Sequence, residues 1–110
     1  MKTVSARGLA DAALDAAAEF HARVLPLVRK VVVDGEPVCV MFDPADHSHR
    51  AWRVAAVQAL AREAAPARVN AVAASDDQAW ATTIEYLERA PGITGQYFPL
   101  DGQGAGDPVR

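Results

Sequence analysis

The chain is poor in several things, and each shortage excludes a class of protein. It carries one cysteine, Cys39, so no disulfide can form within it, which fits a reducing compartment. No run of Lys or Arg exceeds Arg29-Lys30, and the net charge is -3 with a pI near 5.5. That balance argues against a nucleic-acid partner and against an anionic membrane surface. No apolar run approaches the roughly 20 residues of a membrane span. The N-terminus has no basic region followed by an uninterrupted apolar core, so no signal peptide is expected. Internal repeats and low-complexity segments are also lacking. The expectation is a soluble, cytoplasmic protein with neither nucleic acid nor membrane as partner.

What is present points to a folded globule. Of 110 residues, 51% are hydrophobic, and a chain of this length buries roughly two-thirds of the surface it exposes when unfolded. Its organising stretch runs from Val38 to Val72. Val38-Cys39-Val40-Met41-Phe42 and Arg68-Val69-Asn70-Ala71-Val72 are continuous apolar runs, the pattern of strands buried on both faces. Between them lie a polar loop, Asp43 to Ser48, and an alanine-rich helix to about Ala65. This is a βαβ unit, and a right-handed crossover is expected.

Around that unit the periodicity predicts a first helix over residues 5–31, capped by Ser5. Leu9, Ala13, Ala16, Ala17, Phe20, Val24, Leu27 and Val28 form its apolar stripe, with Asp11, Asp15 and Glu19 on a solvated face. His21 lies on its outer side, and Pro26 is expected to kink it or mark its last turns. Asp34-Gly35-Glu36-Pro37 reads as a turn. In the second helix, capped by Asp46 or Ser48, the predicted inward positions are Trp52, Ala55, Ala56, Ala59, Leu60 and Ala64. Ser75-Asp76-Asp77 opens a third helix that turns Trp80, Ile84 and Leu87 inward. A last strand spans Gly95 to Leu100, and Pro99 assigns it to a sheet edge. Asn70 and Gln96 are read as polar groups satisfied by backbone. The sum is α/β: a three-layer Rossmann-like half-domain over residues 1–100, α-β-α-β-α-β with three parallel strands, followed by a flexible tail over 101–110.

At Arg68-Val69-Asn70-Ala71-Val72 the sequence resembles the short-chain dehydrogenase/reductase family. Leu60-Ala61-Arg62-Glu63-Ala64-Ala65-Pro66 before it and Thr94-Gly95-Gln96 through Asp101-Gly102 after it extend the likeness, and Val24-Leu25-Pro26-Leu27 is similar to the family's long helix. The resemblance covers the C-terminal half of such an enzyme, so it implies a truncated, degenerate relative. It also implies what is missing. The family's glycine-rich nucleotide turn has no counterpart, and no serine follows the strand ending Phe42-Asp43. The Tyr-x-x-x-Lys pair, proton donor and ribose holder, falls on Asp46 and Arg50. The Pro-Gly after the second strand has become Ala74-Ser75. Neither that family's reaction nor its cofactor is therefore expected, and the chain reads as a non-catalytic pseudoenzyme.

Ligands of open α/β sheets bind beyond the carboxyl ends of the strands. That edge gathers Asp43, Asp46, His47, His49 and Arg50 after one strand, and Ser75 and Asp76, with Asp77, after the next. These are the candidate ligand residues. They carry groups for acid–base chemistry or metal ligation, but His47-Ser48-His49 matches no zinc spacing. Asp43, Ser48 and Asp76 are equally well explained as turn and cap residues. Cys39 reads as a small buried hydrophobe.

Two surfaces are expected to stand open. The strand at Val38 would be an unpaired edge, which tends to be covered or to pair with another chain. The first two helices also present small faces: Ala12, Ala13, Ala16, Ala17 and Ala18, then Ala51, Ala55, Ala56 and Ala59. In the resembling enzymes the corresponding helices pair with their copies across a four-helix dimer interface. The reading is a homo-oligomer, or an accessory subunit docked on a full-length short-chain dehydrogenase. The alternative is a small enzyme or ligand-binding domain that uses the polar loop.

Overall fold

The structure, a computed structural model, describes residues 1–100; the predicted tail and the Asp101-Gly102 motif lie outside the described residues. Its elements are β1 (Lys2–Ala6), α1 (Ala13–Glu19), a π-helical turn (Phe20–Val24) and α2 (Leu25–Val32). After these come β2 (Val38–Phe42), a 3-10 turn (His47–His49), α3 (Arg50–Ala64), β3 (Val69–Ala74), α4 (Asp77–Glu88) and β4 (Tyr97–Leu100). The class is α/β as expected, but the parallel sheet has four strands in the order β1-β2-β3-β4 instead of three.

The extra strand corrects two expectations. Lys2–Ala6 is not the approach to a helix, and Ser5 is not its cap. Val4 and Ala6 are buried while Thr3 and Ser5 are exposed, which is the two-residue period of a strand. Gly8, at φ +77°, then turns the chain in a conformation that side chains disfavour, and the helix begins only at Ala13. β1 pairs with β2 from Lys2 opposite Val38 to Ala6 opposite Phe42. The strand at Val38 is therefore interior, and β1 takes the edge. β3 flanks β2 on the other side, so both of its edges are paired, and helices bury its two faces. Among the described residues β4 pairs only with β3, so Pro99 sits on an edge strand as predicted.

Helices cover the sheet from both faces. Val4, Ala6, Val38, Val40, Phe42, Val69, Ala71 and Ala73 pack against Phe20, Val24 and Val28 of the first helical segment and against Ala56, Val57, Leu60 and Ala61 of α3. Cys39, Val72 and Ala74 point the other way, toward Trp80 and Leu87 of α4. Successive strands step across the sheet in one direction while α4 lies opposite α3. The β3–α4–β4 crossover therefore has the opposite hand from the β2–α3–β3 crossover, against the usual uniformity. α4 leaves β1 half covered: Thr3 and Ser5 are exposed, and the Arg7 guanidinium, 4.4 Å from the Trp80 ring, ties the end of β1 to α4.

Local chemistry explains the element ends. Pro26 removes a backbone donor, and just before it Leu25 N–H reaches back five residues to Phe20 O, so the helix widens into a π turn and continues to Val32 instead of stopping. Gly35 N–H donates to Val32 O, and Glu36 N–H to the Asp34 carboxylate, closing the predicted turn. Asp76 caps α4 by accepting from Ala79 N at 2.8 Å. Buried Asn70 donates to Ile93 O and accepts from Gln96 N, both at 3.0 Å, which joins β3 to the segment before β4.

The stripe of α3 is rotated by one residue from its prediction. Arg53, Ala56, Val57, Leu60 and Ala61 are buried, whereas Ala55 and Ala59 face outward and Trp52 is half-buried. Many alanines and a charged residue on the inner face blur the amphipathic signal. In the first helical segment the same happens on a smaller scale: Leu27, predicted inward, is 50% exposed, and Leu14, outside the predicted stripe, is 87% exposed.

Phe20 is fully buried and stacks 5.7 Å from Phe42. Phe20→Ala is expected to lower unfolding stability by about 3–5 kcal/mol, while Leu14→Ala stays within about 0.5 kcal/mol, as read by urea denaturation.

Candidate functional site

Because all four strands are parallel, their carboxyl ends share one edge, and a cleft of about 310 Å³ opens there. The β1–α1 loop supplies Leu9, Ala10 and Asp11; the exit of β2 supplies Asp43 to Asp46; His49 and Arg53 come from the 3-10 turn and the first turn of α3.

Asp43 holds one wall together. Its Oδ1 accepts from Arg7 Nε at 3.0 Å and its Oδ2 from Gly8 N at 2.8 Å. Burial would raise its carboxyl, but the Gly8 amide and the Arg7 guanidinium outweigh that and hold it below the usual aspartate range. Asp46 is the N-cap of the 3-10 turn. The Ser48 hydroxyl and then the Ser48 N–H, 2.9 Å away, hold it below the carboxylate range too.

His49 is buried, 6% exposed, and both of its ring nitrogens are engaged. Trp52 Nε1–H can only donate, and it lies 3.1 Å from His49 Nδ1, so that nitrogen accepts. Nε2 is then the protonated nitrogen, donating to Asp11 O at 2.9 Å. The ring thus anchors the β1–α1 loop to α3.

Arg53 is 4% exposed. Its guanidinium lies 4.3 Å from the Phe42 ring centroid, a favourable cation–π placement. Nη1 donates to Asp43 O at 2.9 Å and to Tyr97 Oη at 3.0 Å. Nε is buried without a hydrogen-bond partner, and no carboxylate lies within ion-pair distance among the described residues.

Of the predicted candidates, the fold brings Asp43, Asp46 and His49 together. It sends His47 and Arg50 to a shallow depression on the outer side of α3, beside Ala51, Val54, Ala55 and Gln58. Ser75 and Asp76 do not line the cleft, and Asp76 is the cap of α4. Arg53 and Asp11 were missed. The one trace of Arg53 in the sequence is its spacing, three, four, seven and eight residues before Ala56, Val57, Leu60 and Ala61. Among the described residues no group of three or more metal-ligating side chains is placed to hold an ion. Cys39 is buried in mid-strand, and that burial pushes its thiol up to about 12, which leaves it unreactive at neutral pH.

A family profile described as SDR-like, short chain dehydrogenase-like protein, matches residues 4–100. The chain belongs to that family. Comparisons with curated proteins and with solved structures return no match. No helix among the described residues is long and apolar enough to cross a membrane. The matched range takes in β2 to β4 and the helices between them, and the cleft lies at the carboxyl ends of the strands, where open α/β sheets bind their ligands.

The lowered Asp43 carboxyl has a defined pH signature. A depressed folded value contributes stability above the ordinary aspartate value of 3.8 and loses it as pH falls through the folded value. Asp43→Asn is expected to be less stable than the parent at pH 7 by about 1 kcal/mol or less, since the Asp43 side chain is 41% exposed and screened by solvent. The gap closes as the pH drops below that range, as measured by chemical denaturation across pH.

Proposed function

We propose that this SDR-like chain works by protein association and does not catalyse the hydride transfer of short-chain dehydrogenases. The observation that carries the proposal is the outer face of α3. Ala51, Ala55, Gln58 and Ala59 are exposed, and Val54 is half-buried among them. Side chains this small let a second helix approach closely, and the face offers apolar area with few charges. The neighbouring α1 and α2 add exposed Leu14 and Leu27. Arg29 and Glu63, bonded through two parallel contacts of 2.8 Å, fasten α2 to α3 and hold the two-helix layer in one geometry. The partner is a second copy of the chain, or a full-length reductase that presents the same pair of helices.

The chemistry at the strand ends supports a non-catalytic role. By the resemblance, Asp46 stands where a tyrosine would protonate a carbonyl, yet its hydrogen bonds keep it ionised, and a carboxylate has no proton to donate. Arg50, in the lysine's place, cannot deprotonate and lines the outer depression. The β1–α1 loop is no better suited to a pyrophosphate. Its Gly8 and Ala10 amides already donate to the Asp43 and Glu19 carboxylates, so they are not free to cradle phosphate.

Light scattering at micromolar concentration is expected to give twice the chain mass, or a mixed complex with an added reductase of the family. Ala55→Arg is expected to weaken either assembly at least tenfold, ~1.4 kcal/mol. A monomer that also ignores the reductase overturns the proposal. On the same sample, NAD and NADP are expected to leave the melting temperature unchanged; a rise with either would restore a nucleotide site.

A further inference from the structure

A buried cation without an anion is costly, and folded proteins normally pair it. Arg53 departs from that rule at the wall of a cleft. Asp43 hydrogen-bonds it only through its backbone carbonyl; the Asp43 carboxylate is engaged by Arg7 and Gly8 and meets Arg53 only through space. Both hydrogen bonds of the guanidinium leave from Nη1, toward Asp43 O and Tyr97 Oη. The edge formed by Nε and Nη2, the fork that grips a carboxylate through two parallel bonds, makes neither of them. Stacking on Phe42 orients the plane, and among the described residues that edge has no acceptor.

The rim carries the opposite sign. Asp11 and Asp46 line the same cleft, and neither is in an ion pair among the described residues. The bond from His49 Nε2 fixes the backbone of Asp11 at the rim, and the contacts of Ser48 fix Asp46. A doubly charged phosphate would meet two carboxylates on its way to one arginine. A lone amine would find the rim acids but also the buried guanidinium. A molecule with a carboxylate at one end and an ammonium at the other matches both charges. The cleft, about 310 Å³, lies at the small end of ligand pockets.

We propose that the cleft binds a small zwitterion of amino-acid size, its carboxylate on the Arg53 guanidinium and its ammonium toward Asp11 and Asp46. This site is separate from the outer face of α3, so it stands whether or not the chain associates through that face.

The test is an NMR titration of the full chain, following the Arg53 Nε–H signal and the backbone amides of Gly8 and Ala45. The probes are glycine, β-alanine and γ-aminobutyrate, which place the two charges at increasing separation, with acetate, n-butylamine and inorganic phosphate as single-charge or doubly charged controls. At least one zwitterion is expected to bind saturably and at least tenfold tighter than acetate, butylamine or phosphate. Arg53→Met is expected to abolish the saturable shifts. Because that change reaches the core, Asp46→Asn is the second variant; asparagine caps as well as aspartate, so the fold is retained. It is expected to leave acetate binding unchanged and to remove most of the zwitterion's advantage. No saturable shift with any zwitterion at tens of millimolar overturns the proposal. So does phosphate or acetate binding as tightly as the best zwitterion, or Asp46→Asn retaining the full preference.

Discussion

Two parallel strands cannot be joined by a tight turn, and most of this molecule follows from that constraint. Each return from the end of one strand to the start of the next must cross a face of the sheet, so every strand brings a helix with it. The helices need an apolar surface beneath them, and β2 and β3 supply it on both faces at once: Val38, Val40 and Phe42 toward the π turn, α2 and α3, and Cys39 toward α4. The same geometry gathers all strand exits at one edge. The polar loops are placed there together, and the cleft is their meeting point.

Within that frame a small number of side chains link elements that the backbone leaves separate. Asp43 joins the end of β2 to the β1–α1 loop through Arg7 and Gly8. His49 joins α3 to the same loop through Asp11, and its bond from Trp52 fixes the ring's tautomer. Arg53 reaches β2 and β4 through Asp43 O and Tyr97 Oη. The cleft is therefore walled by groups already committed to structure, and what remains uncommitted is informative. Among the described residues, one edge of a buried guanidinium lacks an acceptor, and two rim carboxylates lack cations. A site of this kind is suited to binding.

Much of the fold was legible in the residues. The uninterrupted apolar runs at Val38 and Val69 announced doubly covered strands, Asp34-Gly35 and Asp76 announced a turn and a cap, and Pro99 marked an edge. β1 escaped notice because five residues of mixed small side chains, Lys2-Thr3-Val4-Ser5-Ala6, carry too little period-two signal beside a long helical pattern. The inner face of α3 was displaced by one residue for a related reason. Where alanine fills both faces, hydrophobicity does not distinguish them, and a charged residue on the buried stripe pulls the reading the wrong way.

The sequence by itself determined the class, the parallel pairing of β2 with β3, and the family, because these rest on local composition and on residues near one another in the chain. The tertiary structure alone decided which polar groups face each other. Asp43, Asp46 and His49 share a cleft while His47 and Arg50, their immediate neighbours, turn to the outer face of α3; a helix rotates successive residues by about 100°, so adjacency along the chain separates side chains as often as it unites them. Among the described residues Arg53 has no ion-pair partner, because the fold buries it against Phe42 while Arg7, just beyond the end of the neighbouring β1, takes the carboxylate of Asp43. That competition is between residues 36 and 10 positions away from Asp43, and only the packed chain brings them to the same acid.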